Sequence, residues 1–298
     1  MKEAYLVRYY LPEAGVRIGI QMNNVIHDIT DSARSIASLL INSIGRVQES
    51  WDQLFDISQS MKTVSVDDLN NYPHSEVPHW LPPVDHQDVW ASGVTYERSR
   101  EARQEEAVDG GDVYTRVYSA KRPELFFKAR GERVVGHLDY VGIRTDSDWN
   151  VPEPELALVI NPAMEVVGLT IGNDMSSRSI EGENPLYLPQ AKIYDASCAL
   201  GPVILPWHDN KWPSMTITVE IERAQHTVFK NSIPTERIHR SMDELVDYLG
   251  RSNKHPHGVV LLTGTGIVPS LDFSLKAGDT ISITVTSIGT LTNTVQVV

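Results

Sequence analysis

Glu153 and Glu155 stand two residues apart in the run Val151-Pro152-Glu153-Pro154-Glu155-Leu156, and Asp174 follows in Gly172-Asn173-Asp174, with no His or Cys nearby in sequence. Strand residues alternate faces, so Glu153 and Glu155 point the same way. Glu155 opens an apolar run, ELALVIN; Asn161 to Met164 reads as a turn, and MEVVGLTIG as a returning strand. Closure across Asn161 and Met164 predicts Glu153 opposite Gly172, with Asp174 a diagonal neighbour within side-chain reach. Three converging carboxylates repel one another unless a cation or protons neutralise them. An oxygen-only set selects a hard ion, Mg²⁺ first and Mn²⁺ or Ca²⁺ after it. Glu-x-Glu is also the ordinary mark of a solvated strand face. The prolines flanking Glu153 count against that reading: they stiffen the segment and remove two backbone donors, which suits a strand entrance.

The elements that must position these residues belong to a chain of 298 residues, 41% apolar, enough for a substantial core in one large domain or two. Residues 4–28 alternate like short strands (AYLVRYY, VRIGIQM, NVIHDI), and 32–42 and 45–55 have helical spacing, with Ile36, Leu39, Leu40 and Trp51, Leu54, Phe55 as apolar stripes. Together they predict a small α/β module. The Pro- and His-rich stretch from Tyr72 to Pro83 reads as a linker, and the spacing of His74, His79 and His86 fits no compact ligand pattern. From about residue 88 the chain reads as mostly β. Tyr96 to Ala107 is charged and helical. Ser241 to Glu244 has the form of a capping box, and 259–264, 279–288 and 290–298 are strand-like, with Gly289 between the last two. No βαβ alternation and no phosphate-binding glycine loop follows a strand, so the fold class is α+β with a β-rich catalytic region.

Composition excludes several roles. Net charge is −13, which argues against a nucleic-acid partner. No run of 18 apolar residues occurs, so no membrane span is expected, and the charged N-terminal segment MKEAYLVRYYLPEAG does not read as a signal peptide. One cysteine, Cys198, excludes an internal disulfide and fits a reducing cytoplasm.

Several segments together resemble the fumarylacetoacetate hydrolase superfamily: Pro123-Glu124-Leu125-Phe126-Phe127-Lys128, the Glu153/Glu155 run, Gly172-Asn173-Asp174-Met175-Ser176-Ser177-Arg178, Gln190-Ala191-Lys192, Leu200-Gly201-Pro202 and Thr263-Gly264-Thr265. The resemblance implies a catalytic domain over 86–298 of that family's mixed β-sandwich or roll type, behind an N-terminal module over 1–85. It also implies that Glu153, Glu155 and Asp174 hold a divalent ion, usually Mg²⁺. Hydrolases of the family carry a His–Glu dyad that activates water. Here Ser99 stands in place of the His and Ala102 in place of the Glu, and neither can act as that base. The stretches TYERSREAR, SDWNVPEPEL and IEGENPLYLPQAK are most similar to a lyase branch that dehydrates 2-keto-3-deoxy sugar acids.

The implied substrate is a small 2-keto acid of sugar-acid catabolism, and the implied product 2,5-dioxopentanoate. Lys192 is the first candidate for proton abstraction, or else a charged group that orients substrate; both readings stand. Glu124 is the candidate acid for the leaving hydroxyl. Arg178, Ser99, Thr263 and Thr265 are candidate substrate contacts, Arg178 alternatively a brace for the acids. Lys128, four residues after Glu124, reads as a structural ion pair. The resemblance also implies a homodimer or a tetramer of dimers. Rival readings are a metal-dependent acylpyruvate hydrolase or oxaloacetate-type decarboxylase, Schiff-base dehydration at Lys192, and a non-catalytic metabolite binder.

Overall fold

The computed structural model describes residues 4–97, 116–209 and 211–298. The expected helix over Tyr96 to Ala107, with Ser99 and Ala102, lies almost wholly outside the described residues. Eighteen strands and five α-helices occur among those described. The first strands are β1 (Ala4–Leu11), β2 (Gly15–Met22), β3 (Val25–Asp28), β4 (Thr63–Ser65), β5 (His79–Leu81), β6 (Asp88–Gly93) and β7 (Glu124–Arg130). There follow β8 (Tyr140–Ile143), β9 (Asn150–Val151), β10 (Pro154–Ile160), β11 (Val166–Asp174), β12 (Ser176–Ser177) and β13 (Cys198–Pro206). The last are β14 (Thr216–Arg223), β15 (His226–Pro234), β16 (Val259–Leu262), β17 (Thr280–Val285) and β18 (Gly289–Val297). The helices are α1 (Ile36–Asn42), α2 (Val47–Ser58), α3 (Arg178–Glu183), α4 (Leu188–Lys192) and α5 (Met242–Gly250).

An eleven-stranded sheet runs β4-β3-β2-β1-β13-β11-β10-β16-β6-β7, with β5 also on β1. A five-stranded sheet, β15-β14-β17-β18-β8, packs against it. The two central strands β10 and β11 are buried at every position, because both faces are covered. On one face Leu156, Leu158 and Ile160 meet Ile217, Val219 and Ile283 of the small sheet. On the other, Ala157 and Val159 meet Ile36, Leu40 and Trp51 of α1 and α2. Trp51 Nε1 donates to the Val167 carbonyl at 2.8 Å, fixing α2 to β11. None of the described helices is long and apolar enough to cross a membrane.

The N-terminal strands form as their alternation predicts, and β1 joins β13 with Leu6 opposite Ile204. Within the stretch read as a linker, His79–Leu81 form β5 on β1, and buried His79 stacks on Tyr10. Ser241 caps α5 by accepting from Glu244 N, but the reciprocal bond of the expected capping box is replaced by a Glu244–Arg240 pair at 2.7 Å.

The hairpin carrying the acids differs from the expected register. Glu155, not Glu153, faces Gly172. Asn161 Oδ1 accepts from Ala163 N and Glu165 N, so the turn closes at Glu165 instead of Met164. A bulge at Val159/Ile160 adds a further residue. The two shifts bring Asp174 level with Glu153, and Asp174 N donates to the Glu153 carbonyl at 3.0 Å. The acids are therefore direct neighbours, closer than the diagonal pairing predicted.

His137 ties β18 to this frame. Its Nδ1 accepts from Thr292 N at 3.0 Å, and its ring meets Trp80 edge-on at 6.3 Å. Burial pushes the imidazole down to about 4. A ring held below its unfolded value stays neutral in the fold, so its contribution is complete above about pH 6.5 and is lost as pH falls toward 4. Chemical denaturation from pH 7 to 4 should show a loss of roughly 2–3 kcal/mol that is missing in His137→Gln; parallel curves for the two proteins would contradict this.

Candidate active site

The acids sit where the strand ends of β10 and β11 meet the segment after β16 and the last residue of α4. Glu153, Glu155 and Asp174 are 4%, 1% and 1% exposed, and each offers an oxygen within 4.8 Å of the others. Asn173 Oδ1 accepts from Glu153 N at 3.3 Å, and Gly264 N donates to Glu155 Oε2 at 2.5 Å. Gly264 has φ +89°, a turn that aims its N–H back at the strand end.

Three cations answer the acids. Lys192, the last residue of α4, places Nζ 2.9 Å from Glu153 Oε2, 3.1 Å from Asp174 Oδ2 and 2.6 Å from Ser176 Oγ. Fully buried Lys128 in β7 reaches Asp174 Oδ1 at 2.5 Å and donates to the carbonyls of Met175 and Lys192. Arg178 Nη2 lies 2.8 Å from Glu153 Oε1, with Nη1 3.7 Å from Glu181 Oε2. Among the described residues Glu153 and Asp174 thus have short-range cationic partners, whereas Glu155 has only the Gly264 amide. Its Oε1 is buried with no hydrogen-bond partner among the described residues. Burial, then the Asp174 and Glu153 charges, push the Glu155 carboxyl well above the usual carboxylate range, against the opposing pull of Lys192 and Gly264 N–H.

That orphaned oxygen in an all-oxygen trio is the test of fit for a metal. The donor set suits a hard divalent cation such as Mg²⁺, and among the described residues no His or Cys donor joins it. Buried Cys198 lies close by in β13, but burial pushes its thiol up to about 12, so it is inert.

A narrow cleft of about 20 Å³ opens beside the trio. Glu153, Asp174, Lys192, Glu124 and Thr265 all line it. Five expected site residues therefore share one cavity, and Glu155 is not among the residues that line it. Thr263 instead turns its hydroxyl to the Leu156 carbonyl at 2.8 Å, and Arg178 is turned into Glu153 and Glu181. Ser99 lies outside the described residues. Three participants escaped the sequence reading. Ser176 shares the alternation of Asp174 and was legible in principle. The Gly264 amide is main chain and carries no side-chain signature. Glu181 lines the cleft and pairs with Arg178, and no spacing from the acids marks it in the sequence.

Comparison with known proteins bears on this arrangement. The family model for the fumarylacetoacetate (FAA) hydrolase C-terminal domain matches residues 88–296. A probable 2-keto-3-deoxyxylonate dehydratase of Haloferax volcanii is 44% identical over 90% of this chain and 88% of its own. A 2-dehydro-3-deoxy-D-arabinonate dehydratase of Saccharolobus solfataricus is 46% identical over 72% of this chain and 73% of its own. A solved 2-keto-3-deoxy-D-arabinonate dehydratase, complexed with magnesium and 2,5-dioxopentanoate, superposes with TM-score 0.80 at 34% identity, covering 98% of this chain and 99% of that one.

Proposed function

The chain belongs to the fumarylacetoacetate hydrolase family, and from that premise we propose that it is a Mg²⁺-dependent hydro-lyase that converts 2-dehydro-3-deoxy-D-arabonate to 2,5-dioxopentanoate and water. The observation that carries the reading is the buried trio with the orphaned Glu155 oxygen, set in a scaffold shared with a dehydratase complexed with magnesium and that product. The arabinonate and xylonate names of the relatives do not conflict. In the D series those acids differ at C2 and C3, centres that the 2-keto-3-deoxy form lacks.

Glu153, Glu155 and Asp174 would hold the ion, which when bound supplies Lewis-acid charge against the negative charge developing on the 2-keto group. Lys192 handles the C3 proton: of the two lysines buried among the described residues only it lines the cleft, while Lys128 is spent on Asp174 and two carbonyls. Glu124 protonates the departing C4 hydroxyl from the cleft wall. Loss of the C3 proton and C4 hydroxyl leaves a 3,4-ene; moving a proton from C5 to C3 gives a 4,5-enol, and its ketonisation gives the aldehyde. Water leaves in this chemistry and does not attack, which is consistent with Ser99 and Ala102 in place of the hydrolytic dyad. Thr265 would bind the substrate carboxylate, and the enzyme would assemble as a dimer or a tetramer of dimers, which light scattering reads directly.

The test is product formation from 2-keto-3-deoxypentonate followed by NMR, against acylpyruvates and oxaloacetate. Turnover should be highest on the deoxy sugar acid, abolished by EDTA and restored by Mg²⁺. Faster turnover of an acylpyruvate or oxaloacetate would overturn the assignment. Activity surviving EDTA, with borohydride trapping substrate on Lys192, would replace the metal by a Schiff base.

A further inference from the structure

Gly93 ends β6 directly opposite Glu124, which begins β7. Glu124 folds its side chain back across this glycine. A Cβ built on Gly93 would collide with Glu124 Oε2, and would lie 2.7 Å from its Cδ and 3.3 Å from its Cγ. No other residue stands among the three nearest atoms, so the space a methyl would need is the space the carboxylate occupies. Both groups line the cleft beside Glu153, Asp174 and Lys192.

The backbone under this cradle is fixed. Ser92 Oγ donates to the Leu262 carbonyl at 3.1 Å, and Thr95 Oγ1 to the Thr263 carbonyl at 2.7 Å. Between them Val94 has φ +53°, a left-handed conformation that costs a β-branched residue of order 1–3 kcal/mol and persists only where its surroundings enforce it. Strand β6 is further held by β16 on one side and β7 on the other. A methyl added at Gly93 therefore displaces the softer partner, the rotatable end of Glu124. Moving a carboxylate that is only half-buried perturbs the fold little. Proton transfer, by contrast, requires hydrogen-bond reach of the departing oxygen, and loses much of its advantage with a displacement of an ångström.

We infer that Gly93 is a positioning residue of the dehydration: the absence of a side chain there sets where the Glu124 carboxylate stands. The inference rests on Glu124 being the acid that protonates the leaving hydroxyl. It predicts a substitution that spares folding and metal binding while removing the acid.

The experiment compares Gly93→Ala, Glu124→Gln and the double variant, with Mg²⁺ affinity by calorimetry, melting temperature, and kcat and KM over pH. Gly93→Ala should keep the melting temperature and Mg²⁺ affinity near wild type, lower kcat by about a hundredfold, and lose the alkaline limb of the pH profile that reports the acid. The double variant should be no slower than Glu124→Gln alone, since both changes remove one group. Combining Gly93→Ala with Glu124→Asp, which draws the carboxylate back by one methylene, should recover part of kcat. If Gly93→Ala keeps its kcat and pH profile while Glu124→Gln is slow, the positioning role is wrong and the acid stands. If Glu124→Gln itself is unimpaired, the assignment of the acid fails, and the inference with it. If Gly93→Ala melts well below wild type and Glu124→Asp recovers nothing, the glycine serves the fold alone.

Discussion

Glu155→Gln is expected to abolish Mg²⁺-dependent activity, with a rate at least a thousandfold below wild type, in a protein that folds as well as or better than the parent. The side chain is 1% exposed, and one oxygen accepts from Gly264 N at 2.5 Å. Glutamine preserves shape and can keep that bond through its amide oxygen. What it removes is the charge that repels Asp174 and Glu153. A carboxyl raised above its unfolded value contributes stability that is present in acid and lost as pH rises through its folded value. The variant has no such loss, so at neutral pH it should melt no lower than the metal-free parent. The metal response should separate the two proteins. An ion at a hundred times its dissociation constant stabilises by about 2.7 kcal/mol. Wild type should show the corresponding upward shift in melting temperature on adding Mg²⁺, and Glu155→Gln should show none. An undiminished shift in the variant would place the ion elsewhere.

How far this site could be read from sequence depended on where each contribution arises. Glu153, Glu155 and Asp174 were visible because period-2 alternation and one turn sufficed to bring them together. Their register is not visible in the same way, because Asn161-Pro162 announces a turn without giving its size. The Asn161 side-chain bonds and the Val159/Ile160 bulge, which set the pairing, are decided by packing on both faces of β10. Likewise AYLVRYY was legible as a strand, but its pairing with β13, nearly 200 residues on, is a long-range choice that local pattern does not encode. Lys192 is legible only through family resemblance. It reaches the acids from α4 across an irregular segment, and no spacing rule links position 192 to 153. Gly93 and Gly264 act by what they lack or by their main chain, so their roles required the neighbouring atoms to be in view.

Lys192→Met is expected to retain Mg²⁺ binding and lose at least about a thousandfold in rate, within the range that removal of a positioned acid–base group produces. Methionine approximates the stem volume, so the change is chiefly loss of Nζ from between Glu153 Oε2, Asp174 Oδ2 and Ser176 Oγ. Removing a cation from two buried acids leaves charge uncompensated, so the metal-free variant should be destabilised, and Mg²⁺ should restore more stability to it than to wild type. Rate alone does not separate a base from a fixed cation, because either loss is crippling. Isotope exchange does. The 4-deoxy analogue 5-hydroxy-2-oxopentanoate carries the acidic C3 protons but no leaving hydroxyl, so in D₂O it reports proton abstraction uncoupled from dehydration. Wild type should exchange those protons, and Glu124→Gln should exchange them nearly as fast if, as proposed, that residue acts on the departing oxygen. Lys192→Met should not exchange them. Neither should Lys192→Arg, because a guanidinium keeps the charge but does not release its proton. Exchange surviving in Lys192→Arg would make Lys192 a fixed cation that stabilises the enolate, and the base would then have to be sought among the other groups lining the cleft.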